Sequence, residues 1–303
     1  MEIVFIINPT AGNGAAFRKW RKFSETIDFP YEQFVTRSPG HAFQLVEQLK
    51  QRERKTLVIG FGGDGTMREI AAAAAGAELL FIASVPAGSG NDFARSFSCF
   101  SKAQEIGHFL ACPRGMLTDI GQVGVQPEQL FASSAGIGFD AAVAHAVNRS
   151  RTKLWLNKFG LGKLAYLIFV VTTLFTFEKF RLTVESNEAM HHFEDVWLAT
   201  VSNQPYFGGG MKISPHSSVH DGQLELTVVH GLPRLKLLAV FGTVFSGSHT
   251  KFPEVVQFSG KHFSLAVDRP VPRHVDGDDA GMADAQEPLR FRVSAKQWQQ
   301  AKL

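Results

Sequence analysis

The stretch TLVIGFGGDGTMREIAAAAA, from Thr56 to Ala75, decides how the first part of the chain folds. Residues Thr56 to Ile59 are β-branched or apolar, as in a buried strand, and Met67 to Ala75 are rich in strong helix formers. Between them, four glycines surround a single acidic residue, Asp64. The pattern predicts a strand, a glycine turn and a helix, with a carboxylate at the turn.

The sequence around this stretch alternates between strand and helix patterns. A helix is predicted over His41 to Arg52, because Ala42, Leu45 and Leu49 fall on one face. The other predicted strands and helices here are Glu2 to Ile7, Ala15 to Ile27, Tyr31 to Thr36 and Leu79 to Val85. This order predicts a parallel sheet covered by helices, with ligands bound at the carboxyl ends of its strands.

Beyond about Met116 the sequence changes to short strand patterns separated by turn residues. These patterns are Leu117 to Val123, Phe180 to Val184, Trp197 to Ser202, Leu224 to Val229 and Phe263 to Val267. They predict a second, largely antiparallel β domain. We therefore expect an α/β domain over residues 1–114 and a β domain over residues 115–303, with the last residues free to return to the first domain.

Composition narrows the class of protein. The 303 residues are 45% hydrophobic and 19% charged, which suffices for two buried cores. The net charge of +3 does not indicate a nucleic-acid binder. Cys99 and Cys112 lie outside any CxxC pattern, so we expect two free thiols in a reducing compartment and no zinc site.

Targeting signals are not evident. The opening MEIVFIINPT is a strand-like apolar run without a basic leader, which predicts a cytoplasmic protein. The uncharged, strongly apolar run Leu164 to Phe177 is shorter than the roughly 20 residues that a bilayer-spanning helix requires. We expect a core or interfacial segment there, and no membrane span.

Three loops rich in glycine fall at predicted strand ends: NPTAGNG from Asn8, GGDGT from Gly62 and PAGSGNDFAR from Pro86. A glycine turn before a helix presents backbone N–H groups and the helix dipole to an anion. Phosphate is the ligand that such a turn most commonly binds. Asp64 would repel phosphates unless it binds Mg²⁺ or accepts a proton from an attacking hydroxyl. The loops therefore predict phosphoryl transfer.

Two alternatives compete with this interpretation. Asp64 could merely cap a turn, although three such loops together make that reading weaker. Gly60, Gly62 and Gly65 also match the G-x-G-x-x-G dinucleotide fingerprint, but the following strand ends in Ala83, Ser84 and Val85 without the expected acidic residue.

The loop motifs resemble those of a known family. NPTAGNG, GGDGT, PAGSGNDFAR, LTDIG from Leu117 and AGIGFDA from Ala135 are similar to the diacylglycerol kinase catalytic domain, and closest to soluble, single-chain bacterial lipid kinases. The likeness continues through FGGGMKISPHSSVHDGQLEL to HVDGD and so spans nearly the whole chain. GGDGT alone is shared with NAD kinases and phosphofructokinases, whereas the full set in this order is specific.

The resemblance implies an α/β nucleotide-binding domain, a β-sandwich domain, and ATP, Mg²⁺ and a lipid as ligands. Asp64, Asp92 and Asp119 would form the carboxylate network around Mg²⁺, with Asp64 also catalytic, and Asp276 of VDGD would be the general base. Asp92 could instead cap a helix and Asp119 a turn. The nucleotide site would comprise Asn8, Thr36, Gly62, Gly63, Gly65, Thr66, Gly88, Ser89 and Asn91.

The chain departs from the family pattern at two positions. His220 precedes Asp221 where the family often has an acid, which argues against a structural Mg²⁺ at Asp221 because hard cations favour oxygen ligands. The usual DGE is DGD here, so Asp278 is one methylene shorter.

The segment between Asp140 and Glu178 has no acidic residue, and its basic residues alternate with aromatic ones. This pattern favours contact with an anionic membrane surface. A second acid-free stretch, Thr227 to Pro253, could contribute. Amphipathic helices packed on the β domain are the alternative for both. His191 and His192 are interpreted as a solvated turn. The candidate docking residues are Arg149, Arg151, Lys153, Trp155, Lys158 and Lys163.

Our leading hypothesis is an ATP- and Mg²⁺-dependent lipid kinase that produces a phospholipid such as phosphatidic acid. The acceptor could be diacylglycerol, phosphatidylglycerol, a sphingoid base or a prenol. A kinase for a soluble compound such as NAD, and a non-catalytic binding regulator, are the alternatives. We expect a lipid substrate, transient membrane contact and no nucleic acid, and the resemblance allows a homodimer.

Overall fold

The computed structural model describes residues 1–88, 90–124, 129–149 and 162–302, without the side chains of residues 148–149 and 162–167. The chain divides into two compact units. The first comprises Met1–Ile120, Gly208–Gly210 and the residues from Ser294 onward, and the second comprises Gly121–Phe207 and Met211–Val293.

The first unit contains a sheet that is parallel except at one edge. Its strands are β1 (Glu2–Ile7), β2 (Glu32–Val35), β3 (Thr56–Gly62), β4 (Leu80–Pro86), β5 (Gly115–Thr118) and β17 (Trp298–Ala301), in the spatial order β2-β1-β3-β4-β17-β5. Because β1, β3 and β4 are mainly apolar and almost entirely buried, their side chains form a core. The predicted α/β class is confirmed.

Helices follow the strands of this sheet. They are α1 (Ala15–Ser24), α2 (His41–Lys50), α3 (Asp64–Ala74), α4 (Phe93–Ser96) and α5 (Ala103–Ala111). Helices α1 and α2 end two or three residues earlier than predicted, and α2 buries Ala42, Leu45 and Leu49 as its spacing predicts. Phe5, Trp20 and Phe61 pack edge to face or tilted in the core beneath α1.

Strand β17 occupies an interior position of the first sheet although it is the last strand in sequence. It pairs parallel with β4 and antiparallel with β5. Trp298 is buried there and stacks on Phe93 with ring centroids 5.8 Å apart. The first sheet is therefore completed by residues from the far end of the sequence.

The second unit contains an antiparallel sheet, as predicted. Its path runs β15-β14-β8-β10-β9-β13-β16-β6-β7, and β11 and β12 branch from β10. The strands are β6 (Gly121–Val123), β7 (Gln129–Phe131), β8 (Ser134–Gly138), β9 (Phe180–Ser186), β10 (Ala189–Ser202), β11 (Leu224–His230), β12 (Val255–Gly260), β13 (His262–Val267), β14 (Val271–Val275), β15 (Asp278–Ala283) and β16 (Leu289–Val293).

Three helices accompany this sheet within the described residues: α6 (Phe139–Arg149), α7 (Gly162–Thr176) and α8 (Arg234–Thr243). Two short 3₁₀ turns, Val244–Ser246 and Ser248–Lys251, follow α8. Phe139, Phe177 and Trp197 make a cluster of aromatic rings in the core of this unit.

Two sequence interpretations are wrong. Leu117 to Val123 is not one strand: β5 and β6 belong to different sheets, and Asp119 and Ile120 lie between them. His191 and His192 are not a turn but lie in β10, opposite Val184 and Thr183 of β9. The turn is formed instead by Asn187 and Glu188, both with positive φ, so the polar pattern misplaced it by a few residues.

In the part of the chain that the structure describes, no helix is both long and apolar enough to cross a membrane.

Candidate active site

The first loop of the candidate site begins where β1 ends. Asn8 accepts hydrogen bonds at Oδ1 from the backbone N–H of Thr10 at 3.1 Å and from its hydroxyl at 2.9 Å. Its Nδ2 donates to Oγ1 of Thr66 over 3.0 Å. Asn8 therefore fixes its own loop and joins it to the first turn of α3.

Glycines at the ends of β3 and β4 allow two loops to approach closely. A Cβ on Gly88 would lie 2.5 Å from the Cα of Gly63, and one on Gly62 would lie 2.7 Å from Oγ1 of Thr66. Neither separation is compatible with a side chain. A Cβ on Gly65, by contrast, would meet nothing within 4 Å. Gly62, Gly63 and Gly88 are needed for packing, and Gly65 leaves open space at the helix start.

Asp64 is the first residue of α3, where the helix dipole favours an anion. Its Oδ1 accepts a hydrogen bond from the backbone N–H of Phe93 at 2.9 Å. A Cβ on Gly90 would come within 2.8 Å of Oδ2, so Gly90 gives the carboxylate room. The aspartate in the glycine turn is thus held by the chain that follows β4.

Asp92 is buried and lies close to Asp64. Its Oδ2 accepts the N–H of Gly209 over 2.6 Å, and its Oδ1 is 3.4 Å from Nε of Arg95. Burial raises the pKa of Asp92, and the negative charge of Asp64 raises it further, while the Gly209 amide opposes both. Two carboxylates in electrostatic contact, beside backbone amides, form a place where a cation would relieve repulsion.

Of the remaining predicted residues of this unit, Thr36 and Asn91 lie at the same sheet edge, and Asp119 does not. Thr36 directly follows β2 and donates its N–H to the carbonyl of Ile7. Asn91, at φ 56°, closes a turn by accepting the Gly88 N–H over 2.9 Å. Ser89 lies outside the described residues.

Asp119, between β5 and β6, accepts a hydrogen bond from Nε2 of Gln297 at 2.7 Å. Because Thr118 pairs with Trp298 at the start of β17, and β17 runs parallel to β4, Asp119 lies at the opposite, amino edge of the sheet. The structure therefore does not bring Asp119 to Asp64 and Asp92, although the sequence predicts that it would.

Among the described residues, no three His, Cys, Asp or Glu side chains converge as a metal site would require. Asp64, Asp92 and Asp119 therefore do not form a closed three-carboxylate cage. Mg²⁺ commonly takes only one or two carboxylates and completes its shell with waters and phosphate oxygens. The pair Asp64 and Asp92 fits that pattern.

Asp276 lies in the second unit, at the turn between β14 and β15. Its Oδ1 accepts the N–H groups of Ser133 and Ser134 at 2.8 and 2.9 Å, and its Oδ2 accepts that of Ala132 at 2.9 Å. Asp276 and Gly277 have φ values of 49° and 81°, as in the Asp-Gly turn of a two-residue hairpin. The carboxylate is thereby held in one orientation.

An apolar cavity lies in the same unit. It is lined by side chains from α6, α7, α8 and their neighbouring strands, and its titratable lining residues are Asp140 and His249. Burial lowers the pKa of His249, so an uncharged imidazole faces the cavity. The apolar lining residues are Phe139, Val143, Val170, Leu198, Phe207, Met211, Ile213, Val229, Leu237, Val240, Phe241 and Val244.

Asp221 does not lie in an obvious cation site. Its Oδ1 accepts the N–H of Gln223 at 3.0 Å in a local turn. Glu225, on β11, is buried close by, and burial raises its pKa, with the charge of Asp221 adding to the effect. The sequence analysis did not single out Glu225, and only its place in an apolar strand pattern could have indicated burial.

The predicted docking residues Arg151, Lys153, Trp155 and Lys158 lie outside the described residues, as do the side chains of Arg149 and Lys163. The described part of α7 exposes Ile168 and Phe175, and α8 exposes Leu235. Arg234 donates to the carbonyls of Leu174 and Phe177, both at 3.2 Å, which brings the start of α8 to the end of α7.

Comparison with known proteins agrees with these features. The diacylglycerol kinase catalytic domain matches residues 2–123, and the YegS C-terminal NAD kinase β-sandwich-like domain matches residues 133–296. "Putative lipid kinase YtlR" of Bacillus subtilis is 31% identical, with 95% of this chain and 98% of that protein covered. The chain belongs to the diacylglycerol kinase family of lipid kinases.

A second relative is less identical in sequence, and a solved structure shares the fold. A "Diacylglycerol kinase" of Mycobacterium tuberculosis is 28% identical over 97% of this chain and 92% of that protein. A diacylglycerol kinase crystal structure from Bacillus anthracis superposes with a TM-score of 0.70 at 18% identity, covering all of this chain and 97% of that one. As a lipid kinase of this family, the chain uses ATP.

Proposed function

We propose that this lipid kinase transfers the γ-phosphoryl group of ATP to the hydroxyl of diacylglycerol, with Mg²⁺, and so produces phosphatidic acid. The observation that carries the choice of a lipid with long apolar chains is the cavity of the second unit. Phe207 lines this cavity and also stacks on His274, two residues before Asp276, with ring centroids 5.1 Å apart. Acyl chains in the cavity would put a lipid headgroup near the Asp276 turn.

The nucleotide would bind at the carboxyl edge of the first sheet. The amides of the glycine loops, the start of α3 and the hydroxyl of Thr66 offer donors for phosphate oxygens. Asp64 and Asp92 would hold Mg²⁺, which when bound neutralises charge on the phosphates. Asn8, Gly65 and Asn91 would line the site, and Thr36 and Ser89 are kept as proposed members.

Asp276 is proposed to accept the proton of the lipid hydroxyl. The hydroxyl oxygen then bonds to the γ-phosphorus, the bond from that phosphorus to the bridging oxygen breaks, and ADP leaves with the electron pair. The amides of residues 132–134 fix the carboxylate so that little reorganisation accompanies proton transfer.

We further propose that the enzyme binds membranes at their surface, because its substrate resides there. Leu235 is 73% exposed and Phe175 is 58% exposed, and the Arg234 contacts place them on neighbouring helix ends. Helices α7 and α8 also line the apolar cavity with their other sides. A membrane-facing patch on these helices would give a lipid a short path into the cavity.

The first test is transfer of γ-labelled phosphate from ATP to a total lipid extract with Mg²⁺, followed by chromatography. We expect a labelled lipid that comigrates with phosphatidic acid and disappears with Asp276→Asn. Asp284→Asn is the matched control, because Asp284 is exposed and makes only a local turn bond. A different labelled lipid would replace diacylglycerol as the acceptor, and label on NAD instead would overturn the lipid-acceptor proposal.

A further inference from the structure

The hairpin that carries Asp276 presents an acid and a histidine side by side. His274 on β14 and Asp279 on β15 are cross-strand partners, so their side chains lie on the same face of the sheet. Helix α6 packs against both strands on that face and carries the complementary groups, Asp140 and His145. The helix and the hairpin therefore meet through two acid–histidine pairs. In the inner pair the helix supplies the acid, Asp140, and in the outer pair it supplies the histidine, His145.

The inner pair is buried and well aligned. Nε2 of His274 lies 3.0 Å from Oδ2 of Asp140, and the same oxygen accepts the hydroxyl of Thr200 over 2.6 Å. The N–H of Gly277 donates to Nδ1 of His274 at 3.4 Å, which leaves Nε2 as the nitrogen that carries the proton toward Asp140. The imidazole thus connects α6 to the turn itself.

A glycine makes room for this contact. Gly136 is the register partner of both Thr200 and His274, so it lies between them on the same face. A Cβ there would come within 2.7 Å of the Thr200 hydroxyl. Because Gly136 has no Cβ, the Asp140 carboxylate has room to lie between its two hydrogen-bond donors, His274 and Thr200. This accounts for a glycine and an aspartate of the AGIGFDA motif that the proposed reaction does not otherwise use.

The outer pair makes a similar contact five residues further along α6. Nε2 of His145 lies 3.2 Å from Oδ2 of Asp279, at ion-pair distance but without the alignment of a hydrogen bond. These two side chains are partly exposed, whereas His274 is fully buried. The outer pair can therefore be altered with little risk to the core.

We propose that these two pairs are positioning elements for Asp276: they hold the β14–β15 hairpin on α6 and so keep the Asp276 carboxylate on the amides of residues 132–134. The Asp276-Gly277 turn has the backbone conformation that Asp-Gly hairpins favour, so the turn forms locally and the position of the carboxylate depends on where the whole hairpin is held. Loosening either pair releases the turn. The catalytic part of this inference rests on the proposed role of Asp276, and the structural part does not.

The test compares His274→Leu, which removes the Nε2 donor, with His274→Gln, whose amide can still reach Asp140. Two readouts are taken: hydrogen exchange at the amides of Ala132, Ser133 and Ser134 without substrate, and kcat and KM with the labelled lipid. We expect faster exchange and about a tenfold lower kcat in His274→Leu, with KM for ATP unchanged and both effects reversed in His274→Gln.

The outer pair supplies a second set of variants if His274→Leu does not fold. Asp279→His should speed exchange at the same amides, and the double variant His145→Asp with Asp279→His should restore it by exchanging the two partners. Unchanged exchange in both single variants overturns the inference. Faster exchange with unchanged kcat overturns its catalytic part. If these variants exchange faster than wild type while the wild-type protein phosphorylates no lipid, the structural part of the inference is supported and the proposed function is refuted separately.

Discussion

The backbone N–H of Gly209 donates to Oδ2 of Asp92, a residue 117 positions earlier, over 2.6 Å. Gly208, Gly209 and Gly210 all have positive φ, between 63° and 102°, a region that residues with a Cβ rarely adopt. The three consecutive glycines of FGGGM are thus explained by backbone conformation and by a buried carboxylate that their amide must reach.

The first prediction concerns Gly209→Ala. A Cβ at Gly209 meets nothing within 4 Å, so the cost is that of forcing φ to 91°, about 1–2 kcal/mol of unfolding free energy. Denaturant titration measures it. Gly107→Ala is the control, because Gly107 lies inside α5 with open space and no positive φ, and should stabilise by about 0.5–1 kcal/mol. Equal effects of the two changes would refute the backbone argument.

The second prediction concerns pH. Since the folded-state pKa of Asp92 is raised, its contribution to stability is fully present below the unfolded pKa and is lost as pH rises through the folded value. Asp92→Asn has no charge to bury. The melting temperature of the variant minus that of wild type should therefore increase from pH 4 to pH 7. A difference that is constant with pH would show that Asp92 does not titrate abnormally.

The third prediction separates two kinds of glycine. Gly88→Ala should lower both stability and ATP affinity, because its Cβ would strike the Gly63 backbone. Gly65→Ala should leave the unfolding free energy within about 0.5 kcal/mol and weaken ATP binding alone, because its Cβ enters the open space at the start of α3. Calorimetric titration with ATP and thermal melts distinguish these outcomes. Undiminished ATP affinity in Gly65→Ala would place the phosphates elsewhere.

The fourth prediction tests the cavity. Val240→Phe should fill part of it and raise KM for a long-chain diacylglycerol about tenfold, while KM for ATP stays unchanged. Ala239→Phe is the matched control, because Ala239 is exposed on the same helix. If both variants behave like wild type toward long-chain and short-chain substrates, the acyl chains do not occupy this cavity.

The fifth prediction tests the membrane patch. The double change Leu235→Ser and Phe175→Ser removes two exposed apolar side chains and should weaken binding to anionic vesicles at least about tenfold. Vesicle sedimentation measures the bound fraction. Met190→Ser is the control, since Met190 is also exposed but lies on β10. Equal binding by all three proteins would remove these helix ends from the docking surface.

The local patterns of the sequence were sufficient for strands β1 to β4 and helices α1 to α3 of the first unit. The glycine turn at Asp64 lies between β3 and α3 as predicted, because strand, turn and helix preferences there agree with one another. The position of β17 was not predictable in the same way. Its residues WQQA carry no strand pattern of their own, and burial of Trp298 beside Phe93 depends on contacts about 200 positions apart.

The second unit was predictable in class but not in register. The strand patterns indicated an antiparallel sheet, whereas the pairing of His274 with Gly136 depends on how distant strands align. Asp276 stood out through its motif, yet its three amide donors come from more than 140 positions away. The failure at His191 and His192 has a simpler cause, because polar residues on an exposed strand resemble a turn in composition.

The insertion of β17 also constrains how the protein can fold as it is made. Strands β4 and β5 end by Thr118, but the strand between them is synthesised only at residues 298–301. At typical translation rates of about 5–20 residues per second, the nascent chain waits on the order of ten to forty seconds with both strand edges unpaired. Open edges of this kind pair readily with other chains. Newly made copies are therefore most exposed to aggregation, and most in need of a chaperone, during this interval on the ribosome.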